Sequence, residues 1–143
     1  MHIKSPIRLF ALGLLLSTNT LFAADNCSAG KTLKDGTLTI ATGNPAYSPW
    51  VVDNKPESGK GFEAAIAYEL AKRMGFDKDK VVWTTASFDE SIQPGEKNFD
   101  FNLQQFSITE ERQKVVDFST PYYSAAMAVL VRKSIQEKGA KPE

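Results

Sequence analysis

The chain has 143 residues, with 17 basic and 17 acidic side chains and 42% hydrophobic content, the composition of a folded globular protein rather than a disordered or fibrous one. Its formal net charge of zero gives no reason to expect nucleic acid as a partner. One cysteine and one histidine, the latter at position 2, leave nothing from which to assemble a zinc cluster or a Ser/His/Asp triad, so no metal and no cofactor are expected.

Residues 1–24 have the layout of a cleaved secretory signal peptide. His2, Lys4 and Arg8 lead into an apolar run, and Ala23 and Ala24 supply small residues for cleavage. The run from Ile7 to Leu16 is shorter than the ~20 apolar residues that span a bilayer. A buried helix is the structural alternative. Export to the periplasm follows from the signal reading. Cys27 comes soon after, but Asp25 and Asn26 stand where small residues precede a lipidated cysteine, so lipidation is not expected. Residues 25–36 form an N-terminal extension.

From there the pattern alternates. "TLTIAT" (37–42) reads as a strand ending in the turn residues Gly43, Asn44 and Pro45. "GFEAAIAYELAKRMGF" (61–76) reads as a helix. Phe62, Ile66, Tyr68, Leu70 and Met74 fall near helical spacing, Lys72 and Arg73 lie in the last turn, and Gly75 is the stop. "VVWTTAS" (81–87) is a second strand and "FDESIQ" (88–93) a short helix broken at Pro94 and Gly95. "FDFNLQQF" (99–106) is a third strand, 109–116 a helix, and "AMAVLVRK" (126–133) a fourth strand. Strands separated by helices define an α/β unit with a mostly parallel sheet flanked by helices.

In such folds ligands bind outside the carboxyl ends of the strands. Two ends are notable. Tyr47 and Trp50 sit on a loop of turn residues after the first strand, where they either face a ligand or plug the sheet edge. After the third strand, Ser107 and Thr109 precede a helix whose first turns contain Arg112. A helix start offers free N–H groups, and the guanidinium fork grips a carboxylate through two parallel bonds. The alternative is a surface helix capped by Thr109, or by a Ser107–Glu110 box, with Arg112 paired to Glu111 or Asp117.

"GFEAAIAYELAKRMG", "FDFNLQQFSITEER" and "VVDFSTPYY" together resemble the extracytoplasmic solute-binding proteins of polar amino-acid ABC transporters, the family 3 type. The resemblance covers residues 38–133 and implies a periplasmic-binding-protein-like lobe. It implies Arg112 as clamp for the α-carboxylate of an L-amino acid, with Ser107 and the Phe106 amide as further donors. Gln105 would contact the ammonium through its carbonyl, Tyr47 would stack on the ligand, and Asn44 stands where relatives often have an acidic residue. Trp50 completes the expected binding set. Residues 37–133 would be the first lobe and 134–143 the start of a crossover or a truncated tail, the second lobe being absent. The implied partners are an amino acid and a membrane permease, with a monomer expected when a second lobe is present. A non-transport sensor module, or an enzyme resembling cyclohexadienyl dehydratase with Glu57, Glu63 or Asp89 as its carboxylates, is the alternative to a non-enzymatic transport receptor.

Overall fold

A computed structural model describes Ser28 and residues 30–136; the expected signal peptide at 1–24, Cys27 and the tail from 137 onward lie outside the described residues. The elements in chain order are β1 (Leu38–Thr42), α1 (Phe62–Arg73), β2 (Val81–Thr85), α2 (Phe88–Ile92), β3 (Phe101–Asn102), α3 (Glu110–Gln113) and α4 (Lys133–Gln136). Single 3-10 turns lie at Val52–Asn54, Pro56–Ser58 and Lys78–Lys80.

The sheet is parallel with strand order β2-β1-β3. Leu38 to Thr42 pair with Val81 to Thr85, while Ile40 and Ala41 face Phe101 and Asn102. As the central strand β1 is covered on both faces: Leu38, Ile40 and Ala41 are fully buried, which suits a continuous apolar run rather than an alternating one. The Asp100 carboxylate extends the β1–β3 contact by accepting the backbone N–H groups of Thr39 (2.6 Å) and Leu33 (2.7 Å).

Helix α1 packs its alanines, not its large residues, inward. Ala64, Ala67 and Ala71 are buried at helical spacing, and Ala67 and Ala71 join Leu38, Ile40, Phe76 and Leu103 in the core. Of the large residues at expected helical positions, Phe62 and Leu70 are exposed, and Ile66, Tyr68 and Met74 are half-buried. Small side chains let a helix approach a sheet closely, and the volume between them is filled from the strand side. The helix ends as its sequence predicts. Gly75 takes a positive φ of 87°, the Phe76 N–H reaches the Ala71 carbonyl (2.9 Å), and the Gly75 N–H reaches that of Lys72 (3.1 Å). This pair of bonds is a Schellman closure, accompanied by the Phe76–Ala71 contact in the core.

Three expectations are corrected. The third strand stops at Asn102 instead of reaching Phe106; the Leu103 N–H still reaches the Ala41 carbonyl, and the left-handed φ of 50° at Gln105 then turns the chain away from the sheet. The helix expected over 109–116 is regular only over Glu110–Gln113. The fourth strand, "AMAVLVRK", does not form: its residues up to Arg132 carry no ladder, and Met127 and Leu130 are fully exposed. A strand exists by pairing, and β3 offers a ladder only two residues long.

Candidate ligand-binding site

The chain leaves β1 toward its neighbour β2, then crosses from β2 to β3 on the other side of β1. Between the carboxyl ends of β1 and β3 the connections therefore run in opposite directions, the switch point at which such sheets bind ligands, while a groove lined by Thr42, Gly43, Asn44, Trp83, Thr84 and Thr85 lies beside it at the ends of β1 and β2. The expected site residues follow those two strand ends, Asn44 to Trp50 after β1 and Gln105 to Arg112 after β3.

The two exits touch. The Gln104 side chain packs directly over Gly43, where an added Cβ would lie 2.7 Å from its Nε2 and push the amide aside. The Gln104 amide oxygen is buried there without a hydrogen-bond partner.

The loop after β1 is fixed by the start of α1. The Pro49 and Trp50 carbonyls accept the otherwise orphan N–H groups of Phe62 (3.1 Å) and Glu63 (3.0 Å), substituting for a side-chain cap. Gly61, at φ 107°, allows this contact: a Cβ there would stand 2.4 Å from the Trp50 oxygen. Asn44 and Tyr47 face outward, Tyr47 being 65% exposed, an aromatic surface without a protein lining. Trp50 is placed differently. It is half-buried and meets Phe62 (ring centroids 5.8 Å apart) and Tyr123 (4.9 Å) edge to face, at the start of α1 rather than on the sheet edge.

On the β3 side, Thr109 caps α3 by accepting the Arg112 N–H at 3.3 Å. The Arg112 side chain folds back over its own loop: Nη1 donates to the Ser107 carbonyl at 2.8 Å, and the guanidinium carbon sits 5.0 Å from the centre of the Phe88 ring. Phe88 in turn packs on Phe106, 4.7 Å between ring centroids. The ion pairs among the described residues are Arg73–Glu69 and Lys80–Asp79, so Arg112 pairs with neither Glu111 nor Asp117. Gln105, Phe106, Ser107 and Arg112 thus form one rim whose guanidinium has no ion-pair partner among the described residues.

Glu63 and Phe88 carry more of this arrangement than the sequence indicated. The Glu63 carboxylate is 1% exposed and accepts the Gln105 backbone N–H (2.9 Å), the Gln105 side-chain amide and the Tyr122 hydroxyl (2.5 Å). Burial first, and the Glu63 carboxylate second, raise the Tyr122 phenol well above its ordinary pKa. The available signal was positional: Glu63 falls in register with Ala67 and Ala71, on the face α1 turns to the core. Phe88 had no signal beyond being the first residue of a predicted helix. Glu57 and Asp89 are exposed on the Pro56–Ser58 turn and on α2. No metal-holding cluster of His, Cys, Asp or Glu occurs among the described residues.

A parallel α/β sheet whose connections cross at β1, with an exposed aromatic after one strand and an arginine after the neighbouring one, is the architecture of a ligand-binding α/β lobe. The chain belongs to the bacterial extracellular solute-binding proteins, family 3, whose model matches residues 38–140. It is 30% identical to the L-cystine-binding protein TcyJ of Escherichia coli (strain K12), over 86% of this chain and 45% of that protein. It is 31% identical to the ABC transporter glutamine-binding protein GlnH of Bacillus subtilis (strain 168), over 94% of this chain and 52% of that one. The histidine-binding periplasmic protein of Escherichia coli (strain K12) is 27% identical over 85% of this chain and 45% of its own length. The chain thus spans about half the length of these relatives. No solved structure matches it significantly.

Proposed function

We propose that residues 37–133 form the first lobe of an amino-acid receptor that serves a membrane permease of an ABC transporter from the periplasmic side of the membrane. The observation carrying this reading is Arg112, a guanidinium beyond the carboxyl end of β3 with no acidic side chain paired to it among the described residues. Its partner would be the α-carboxylate of an L-amino acid, held by the remaining N–H groups of the fork together with the Ser107 hydroxyl and the Phe106 N–H. Tyr47 would cover the ligand, and Asn44 and the Gln105 carbonyl would meet its ammonium group. The relatives named for cystine, glutamine and histidine support the ligand class. Export through a cleaved signal peptide at residues 1–24 belongs to the same proposal, as does a non-enzymatic role.

Titration calorimetry of the 143-residue chain with a panel of L-amino acids at low salt tests it. Saturable heat that vanishes when the α-carboxylate is amidated, and vanishes in Arg112→Ala, is the expected result. Binding that survives both changes overturns the assignment of Arg112.

A further inference from the structure

We infer that Glu63 is a positioning residue of this site, holding Gln105 in its left-handed conformation so that residues 105–107 and Arg112 keep their ligand-facing arrangement. The inference rests on the reading of residues 105–112 as the ligand-holding rim.

Glu63 is an anomaly in the packing. It occupies a position on α1 in register with Ala67 and Ala71, among the fully buried side chains, where an apolar residue would avoid the desolvation of a carboxylate. No Lys or Arg is paired with it among the described residues. Its compensation comes from neutral donors and from the N-terminal end of α1, in whose first turn it lies. Two of those donors, the backbone N–H and the side-chain amide, belong to Gln105, 42 residues away. Gripping one residue by both groups constrains its backbone, and Gln105 is a non-glycine residue at φ 50°. That conformation turns the chain out of β3, and within the next few residues the Ser107 carbonyl meets Arg112. The third donor, Tyr122, fastens the Pro-Tyr-Tyr segment to the same carboxylate. An apolar residue at 63 could fill the space; only an acceptor with two oxygens can hold Gln105 this way.

NMR on the 15N-labelled 143-residue chain provides the test. In the wild type the Gln105 amide is expected to be protected from exchange, with a positive φ from its coupling constants. In Glu63→Gln that amide should exchange at least about tenfold faster, as the loss of a hydrogen bond to a charged group implies. Ser107 N–H and Arg112 Nε resonances should move with it, while the β1–β2 amides stay in place. Adding Gln105→Gly should return the Ser107 and Arg112 signals toward wild type, because glycine takes positive φ without help; a residue that merely stabilised the core would not be rescued this way. Unmoved Ser107 and Arg112 signals in Glu63→Gln, or no recovery with glycine, overturn the inference. Should Glu63→Gln not fold, the wild type decides: an unprotected Gln105 amide with negative φ overturns it, and a protected amide with positive φ supports it. Titrating the wild type with L-glutamine and L-histidine separates the two readings, since silence at Ser107 and Arg112 counts against the amino-acid site while the Gln105 measurements still judge Glu63.

Discussion

The Glu63 carboxylate, buried in the first turn of α1, accepts the backbone N–H of Gln105 at 2.9 Å, just beyond the end of β3. The same first turn receives the Pro49 and Trp50 carbonyls from the loop after β1. One turn of helix therefore anchors the exits of both β1 and β3, and their geometry is tied to the α1–sheet packing rather than to either loop alone.

Arg112→Ala should abolish the carboxylate-dependent titration heat and leave the fold standing. Its contacts are a single bond to the Ser107 carbonyl and a partly exposed seat on Phe88, which together contribute only about 1 kcal/mol to stability. Arg112→Lys keeps the charge without the planar fork and should bind more weakly than wild type. Calorimetry checks binding, and a thermal melt checks the fold.

The 143-residue chain should bind L-amino acids with a Kd no tighter than millimolar, about −4 kcal/mol. Ser107 and Tyr47 face solvent, and an ion pair in that setting contributes only about 0–1 kcal/mol, whereas exclusion of water strengthens every charged contact. A micromolar Kd from calorimetry would contradict this.

Stability should fall in alkali through Tyr122. Its phenol is held protonated in the folded chain by burial and by Glu63, so above the ordinary phenol pKa of 10.0 the unfolded chain loses a proton that the folded chain retains. Fewer protons on the unfolded state mean that stability declines as pH rises above about 10, and it is unaffected by this group below that point. Tyr122→Phe should flatten the decline, as measured by urea unfolding between neutral pH and pH of about 11.

Gly61→Ala should cost about 2 kcal/mol or more. The added Cβ would lie 2.4 Å from the Trp50 carbonyl oxygen at a residue with φ of 107°. Urea denaturation measures the loss. Tyr47→Ala, at a largely exposed ring, should change stability by less than about 0.5 kcal/mol and so serves as the paired control.

The sequence by itself determined the elements that local chemistry specifies. The β-rich run of β1, the Gly75 stop of α1 and the short helix α2 before Pro94 and Gly95 depend on residues within a few positions of one another. The motif around Arg112 was likewise legible, since the Thr109 cap and the arginine one turn on are adjacent in the chain. What only the tertiary structure decided involves distant partners. Beyond the third strand the chain turns away at Gln105, whose N–H is captured by a carboxylate 42 residues away, and "AMAVLVRK" is no strand because an apolar run needs a ladder to pair with. Trp50 turned to Phe62 and Tyr123 while Tyr47 stayed exposed, a choice made by the docking of their loop onto α1. Glu63 shows the reason most plainly. A carboxylate in an alanine stripe is legible as an oddity, but its meaning lies in the donors that the fold brings to it.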